Sequence, residues 1–408
     1  MLEALLSGLQ ESCYFTFQHY HLTKHRVTDF ASWVILASAW LYLRQHLLVS
    51  GIQNVNRYSY RELRIATQDF SLANKIGEGG FGSVYKGTLR DGTVVAIKVL
   101  SAQSRQGLRE FLTELSVISV IEHESLVKLY GCCVDEDQRI LVYGYLENNS
   151  LAQTLLDGGR SGIQFSWKTR TKICIGVARG LAFLHEEVHP HIVHRDIKAS
   201  NILLDKDLTP KISDFGLAKL IPEDQTHVST RVAGTTGYLA PEYAIRGQLT
   251  RKADIYSFGV LLLEIVCGRS NKNTRLAYGE HYLLEMVWEL HERRELADAV
   301  DTSLNGDFDI EEVCRFLKIG LLCTQDMPKS RPAMSTVVSM LTGEADVDDN
   351  ISRPGLISEL MGIKVGGAQR YKSDTASGSG KLDNSSLSSG NPTSIATMTF
   401  NSIYDRSG

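Results

Sequence analysis

The run Gly77-Glu78-Gly79-Gly80-Phe81-Gly82-Ser83-Val84 constrains this chain most, because it leads into a strand and not a helix. Glycines spaced G-x-G-x-x-G let a backbone approach phosphate oxygens without Cβ clashes. In dinucleotide-binding folds such a loop must open a helix. Here Ser83-Val84-Tyr85-Lys86-Gly87 continues as strand. It then turns at Asp91-Gly92, a hairpin signal, into the β-branched run 93–100 (TVVAIKVL). The spacing therefore predicts a β-hairpin lid over phosphates rather than a dinucleotide fold. No G-x-x-x-x-G-K-[ST] occurs, which excludes a P-loop.

The rest of the chain supplies the groups such a lid needs. In Val95-Ala96-Ile97-Lys98 the strand period puts Ala96 and Lys98 on one face. Ala96 can roof an adenine while Lys98 reaches the α- and β-phosphates. Leu108, Phe111, Leu112, Leu115, Ile118 and Ile121 recur at helical spacing. Glu114 lies on the inward edge of that helix and is the expected partner of Lys98. Glu110, one turn earlier and next to Arg109, reads as a solvated surface acid. His194-Arg195-Asp196-Ile197-Lys198-Ala199-Ser200-Asn201 fits H-R-D-x-x-x-x-N. Asp196 is placed to accept a substrate hydroxyl proton, and Asn201 to hold Mg²⁺. Asp214-Phe215-Gly216 comes next, between the short strands 202–204 and 211–213, with Asp214 as the second Mg²⁺ ligand. Ala240-Pro241-Glu242 closes the segment. A lone G-x-G-x-x-G or D-F-G is weak, but five motifs in this order specify a protein kinase. The expected architecture is α+β and bilobal. A small antiparallel β-rich N-lobe carries one regulatory helix, and the C-lobe is larger and mostly helical.

Residues 58–342, about 70% of the chain, resemble the kinase domain of plant receptor-like kinases. The resemblance rests on Tyr58-Ser59-Tyr60-Arg61-Glu62-Leu63 through Ala66-Thr67 and Phe70. It rests also on Ile140-Leu141-Val142-Tyr143, Glu147-Asn148-Asn149-Ser150-Leu151 and Gly234-Thr235-Thr236-Gly237-Tyr238. The chain is most similar to receptor-like cytoplasmic kinases of the cold-responsive protein kinase type; the motifs carry no role in cold. The resemblance implies ATP with Mg²⁺, or Mn²⁺ in its place. It implies protein substrates and an upstream receptor kinase. It implies a nucleotide site of Ile76, Gly77, Glu78, Gly79, Gly80, Phe81, Gly82, Val84, Ala96 and Lys98. Tyr143 would be the gatekeeper, with the Gly144 carbonyl and Leu146 amide contacting adenine. Glu242 and Arg331 would pair beneath the activation segment, and Asp254 would hold the catalytic-loop backbone. Lys198 and Thr235 resemble the Ser/Thr type; tyrosine activity stays open. Arg195 would read an activation-loop phosphate. Thr226, Ser229, Thr230, Thr235 and Thr236 lie in that segment. Ser229 and Thr230 are the expected phosphosites, because Thr235 and Thr236 sit close to the substrate platform.

These motifs divide the chain. Residues 1–57 are divergent, 58–75 form a lead-in, and 76–342 form the kinase domain, with lobes at about 76–146 and 147–342. Residues 343–408 read as a disordered tail rich in Ser, Gly and Asn. The uncharged run 30–43 (FASWVILASAWLYL) has fourteen residues, short of the roughly 20 a spanning helix needs. A buried or interfacial helix fits it better; Lys24, His25 and Arg26 before it leave a signal anchor as the alternative. His19, His21 and His25 lack ligand spacing. The chain begins Met1-Leu2-Glu3, without the glycine that N-myristoylation requires. The expected location is cytoplasmic, with the cytoplasmic face of the plasma membrane as the variant. A net charge of -4 argues against nucleic acid as partner. Seven scattered cysteines argue against a disulfide framework or zinc site. A pseudokinase scaffold would have lost a catalytic residue, and none of Lys98, Glu114, Asp196, Asn201 and Asp214 is missing. A small-molecule phosphotransferase would not need the Ala240-Pro241-Glu242 segment.

Overall fold

The computed structural model describes residues 55–79, 82–100, 105–135, 138–157, 161–271 and 283–356. The expectations for the run 30–43, for its neighbouring histidines, for Cys13, Gly80 and Phe81, and for the tail from 357 onward lie outside the described residues.

The N-lobe is a six-stranded sheet in the order β1-β5-β6-β4-β3-β2. Its strands are β1 (Asn56–Arg57), β2 (Lys75–Gly79), β3 (Gly82–Thr88), β4 (Val94–Leu100), β5 (Leu129–Asp135) and β6 (Gln138–Gly144). Helix α1 (Tyr60–Ala66) comes after β1, and α2 (Arg105–Ile118) after β4. Alternation along β4 sorts its two faces. Val95 and Ile97 are fully buried against Leu63, Cys133, Ile140 and Val142. Ala96 and Lys98 are half-buried on the opposite face. The hairpin turn brings the Leu89 amide to the Thr93 carbonyl, with Gly92 in a left-handed conformation (φ +85°).

The lead-in is part of this lobe, and it adds a parallel pair to an otherwise antiparallel sheet. β1 runs parallel to β5, with Asn56 opposite Gly131 and Arg57 opposite Cys132. A Cβ at Gly131 would stand 2.3 Å from the Asn56 carbonyl oxygen and 2.5 Å from the Tyr58 ring. Only glycine permits that approach. Helix α1 starts with a capping box: Ser59 Oγ accepts from the Glu62 amide, and the Glu62 carboxylate accepts from the Ser59 amide. Its Leu63 enters the sheet core with no exposed surface.

The C-lobe is built on helices. These are α3 (Leu151–Thr154), α4 (Trp167–Ala182), α5 (Pro241–Arg246), α6 (Arg251–Cys267), α7 (Leu283–Arg293), α8 (Ile310–Cys323) and α9 (Met334–Thr342). α6 is apolar nearly all round, and every residue from Ala253 to Cys267 is buried. Its last carbonyls need donors that water cannot supply. Arg170 of α4 donates to Ile265 O at 2.9 Å and also to the Asp301 carboxylate at 2.5 Å. Three short two-stranded antiparallel pairs set the loops that carry the motifs. β7 (His191–Val193) pairs with β10 (Lys219–Ile221), β8 (Ile202–Leu204) with β9 (Pro210–Ile212), and β11 (Val228–Ser229) with β12 (Gln248–Leu249).

Candidate active site

The lobes meet at Lys98. Its ammonium donates to the Glu114 carboxylate at 2.8 Å and to the Asp214 carboxylate at 2.8 Å. Burial opposes the charge on Lys98, but the two carboxylates outweigh it and raise its pKa. Burial likewise opposes ionisation of Asp214, yet the Lys98 charge holds its pKa below the ordinary value. Asp214 sits in a left-handed conformation (φ +68°), which lets Phe215 dive into the interior with no exposure. The Phe215 ring packs edge-on against His194 at 4.7 Å.

Glu110 is not the solvated acid that the sequence suggested; it is 4% exposed. Residues 110 and 114 are one helical turn apart and share a face. That face is covered by the Asp214-Phe215-Gly216 turn, and a Cβ at Gly216 would lie 3.3 Å from Glu110 Cβ.

The loop 194–201 is held from below. Asp254, fully buried near the start of α6, accepts the His194 amide at 2.6 Å and the Arg195 amide at 2.8 Å. Burial opposes its ionisation; the His185 bond and charge prevail and lower its pKa. Above this floor, Asp196 Oδ1 accepts from Thr235 Oγ1 at 2.6 Å. Asp196 Oδ2 lies 2.8 Å from Lys198 Nζ and accepts from Asn201 Nδ2 at 3.0 Å. Lys198 also donates to Thr235 Oγ1 at 2.8 Å. Both the amide and the hydroxyl of Ser213 donate to the Asn201 carbonyl at 2.9 Å, which ties the Asp214 strand to the Asn201 turn. Lys98, Glu114, Asp214, Asn201, Lys198 and Asp196 thus form one linked cluster.

The remaining expected residues surround it. Val84 pairs with Lys98 across β3 and β4, and Ala96 with Tyr143 across β4 and β6. Ile76, Glu78 and Gly79 are exposed on the lid, while Gly77 and Gly82 are half-buried. No atom lies within 4 Å of a Cβ built at Gly79, whereas one at Gly82 (φ +131°) would strike the Val99 carbonyl at 2.0 Å. Tyr143 is buried beside Glu114; burial, then the Glu114 charge, drives its pKa well up. Gly144 and Leu146 are half-buried where β6 leaves the lobe. The Arg195 guanidinium donates to Leu217 O at 3.1 Å and Arg231 O at 2.8 Å, binding both arms of the segment between Asp214 and Glu242. Ser229 is exposed on β11, and the Thr230 amide bonds Gly247 O at 3.0 Å. Thr236 is exposed beside Thr235. Arg331 grips Glu242 through two nitrogens at 2.8 and 2.9 Å.

Residues 70–341 match the family of protein tyrosine and serine/threonine kinases. The chain belongs to the protein kinase family. The kinase is 67% identical to cold-responsive protein kinase 1 of Arabidopsis thaliana over 369 residues, which is 87% of this chain and 95% of that protein. Two probable leucine-rich repeat receptor-like serine/threonine-protein kinases of the same plant are 52% and 56% identical. They align with 85% and 71% of the kinase, but the alignments span only 34% and 30% of their own lengths. The kinase therefore spans about a third of each receptor-like relative. As a protein kinase it uses ATP and a divalent cation and acts on protein substrates.

Several residues of the site were not legible in the sequence. His185 braces Asp254 at 3.0 Å from a π-helical turn. Tyr243 accepts both Arg195 and the Ala233 amide with its hydroxyl. A lone His and a Tyr after Ala240-Pro241-Glu242 carry no spacing signal. The five cysteines other than Cys314 among the described residues are buried, and Cys314 is half-buried. No metal-binding cluster of His, Cys, Asp and Glu occurs among the described residues. No described helix is long and apolar enough to cross a membrane.

Proposed function

We propose that the kinase transfers the ATP γ-phosphoryl group to Ser and Thr hydroxyls of proteins in plant signalling, downstream of a receptor kinase. The observation that carries this reading is the pair of hydrogen bonds from the Lys98 ammonium to the Glu114 and Asp214 carboxylates, formed in the same cluster as Asp196. An ammonium fixed by two carboxylates suits the α- and β-phosphates. Ile76, Gly77, Glu78, Gly79, Gly80, Phe81, Gly82 and Val84 would form the lid. Ala96, Tyr143, Gly144 and Leu146 would enclose the adenine. The oxygens of Asp214 and Asn201 are hard donors of the kind that Mg²⁺ takes, with Mn²⁺ as substitute. The metal would supply charge neutralisation at the phosphates.

The chain's own residues do the rest. Asp196 orients the substrate hydroxyl and accepts its proton. Lys198 stands beside Asp196 and adds positive charge where the phosphoryl oxygens develop theirs. Thr235 locks both groups, which supports Ser/Thr over Tyr specificity. Arg195 joins the two arms of the segment that carries Ser229 and Thr230, so a phosphate there would bias the site. The receptor-like relatives support a receptor upstream; the kinase would act in the cytoplasm, with the cytoplasmic face of the plasma membrane as the variant site.

The test is transfer from Mg-ATP to a generic basic protein, with phosphoamino-acid analysis of the product. The wild-type chain should label Ser and Thr. Asp196→Asn should lower turnover roughly a thousandfold by removing the proton acceptor. Equal rates for the two proteins would reject the reading.

A further inference from the structure

Thr235 reaches Asp196, so the turn that carries Thr235 borders the place where a substrate hydroxyl must arrive. That turn closes with the Tyr238 amide donating to Thr235 O at 3.1 Å. At its apex Gly237 adopts a left-handed conformation (φ +98°). Three tethers fix the turn to α6 and to the residues just after it. The Tyr238 hydroxyl lies between both oxygens of Glu264, at 2.8 and 2.7 Å. Ser257 Oγ donates to Tyr238 O at 2.7 Å. Asn271 Nδ2 donates to Gly237 O at 2.9 Å.

Asn271 is 5% exposed and holds a central place in this set. Its own amide donates to Glu264 Oε1 at 2.7 Å, so the carboxylate that receives Tyr238 also positions Asn271. The Leu283 amide in turn donates to Asn271 O at 3.3 Å. The side chain of Asn271 is thus held at its root and has a donor aimed at one peptide carbonyl of the turn. That carbonyl belongs to the glycine whose φ leaves it the freest to swing. Fixing the Gly237 peptide sets the direction in which the turn leaves Thr235.

We propose that Asn271 is a positioning residue for the protein substrate: its donor to Gly237 O holds the turn in the shape on which the substrate backbone lands. The proposal rests on the kinase reading above and deepens it. Asn271 touches neither Asp196, Lys98 nor the lid among its described contacts, so its effect belongs to the protein substrate and not to ATP.

The experiment compares wild type, Asn271→Ala and Asn271→Asp in steady-state transfer from Mg-ATP to myelin basic protein. Asn271→Asp keeps the size of the side chain, replaces the amide donor with an acceptor oxygen and adds an acid beside Glu264. Both variants should raise KM for the protein substrate roughly five- to twentyfold. The KM for ATP should stay within about twofold and kcat should fall less than the protein KM rises. Unfolding temperatures show whether each variant is folded; if Asn271→Ala unfolds, Asn271→Asp carries the test. A folded Asn271→Asp with wild-type KM for the protein overturns the proposal. So does an equal loss in the KM for ATP, which would mark a merely structural role. Wild type as inactive as Asp196→Asn would instead remove the kinase reading, and this proposal with it.

Discussion

Glu264 shows how much one buried carboxyl can weigh. It is fully enclosed in α6, and burial pushes its pKa from 4.5 up to about 7, against the bonds from the Asn271 amide and the Tyr238 hydroxyl. The folded state therefore holds the proton more tightly than the unfolded chain. Its contribution to stability is complete below about pH 4.5 and is lost as pH rises through about 7. The full span is on the order of 3 kcal/mol. Glu264→Gln removes the titration but keeps an oxygen for Asn271 and Tyr238. In denaturant titrations at pH 5, 6, 7 and 8, wild type should lose stability relative to Glu264→Gln as pH rises. A constant difference across that range would show that the carboxyl does not titrate there. Nothing in the run Leu261-Leu262-Leu263-Glu264 announces this chemistry. A charge in an apolar helix signals only that a partner must exist, and the fold alone says which. Glu110 teaches the converse. Its neighbour Arg109 suggested solvent, yet helical spacing from Glu114 already placed it on the inward face.

Among the elements, the lead-in is where local patterning was least informative. Asn56 and Arg57 have no alternating apolar pattern, because their strand attaches through backbone bonds at the sheet edge. The Tyr58 amide continues the attachment to Cys132 O at 3.0 Å. The helix after it was legible in principle: Ser59 and Glu62 form a capping box, and Leu63 is its one buried residue. That leucine joins α1 to the cluster of Val95, Ile97, Ile140 and Val142. Leu63→Ala should cost about 2–5 kcal/mol, because the cavity lies between sheet and helix and neither collapses freely. Thermal unfolding of the full chain reads this directly. A loss below about 1 kcal/mol would mean that α1 is not docked on the N-lobe. α2 and α6 make a contrast. Both were visible as apolar patterns, but α6 lost its periodicity because it is buried on every side.

Across the molecule, the segment between Asp214 and Glu242 is held from several distant elements. Arg195 binds its two arms, Glu242 anchors its end to Arg331, and Lys252 donates to the Arg331 carbonyl. Arg331 is 1% exposed, so this pair lies beneath the surface. Ser229, by contrast, stands exposed on the two-residue strand β11, opposite Gln248. A phosphate at Ser229 or Thr230 would add charge-assisted bonds to a segment whose two arms Arg195 holds through neutral carbonyls. Replacing both by Ala should lower kcat/KM about tenfold in protein purified from a phosphorylating host. Dephosphorylated wild type should match the double variant. Unchanged kinetics would show that the segment is set without modification.

Residue order along the chain was enough to specify the reaction class and the bilobal plan. Phosphate-approaching glycines, a strand-borne lysine and the ordered acids need particular residue types at particular spacings, so local order encodes them. Helix position already gave Lys98 its partner Glu114 and the resemblance gave Arg331 its partner Glu242, but the other acid–base contacts were settled only by packing in three dimensions. Lys98 and Asp214 are 116 residues apart in the chain yet 2.8 Å apart in space. Packing also settled that His185 supports Asp254 and that Asn271 reaches the Gly237 carbonyl. These contacts depend on how buried helices settle against one another, and no spacing rule along one chain specifies a distance between two elements.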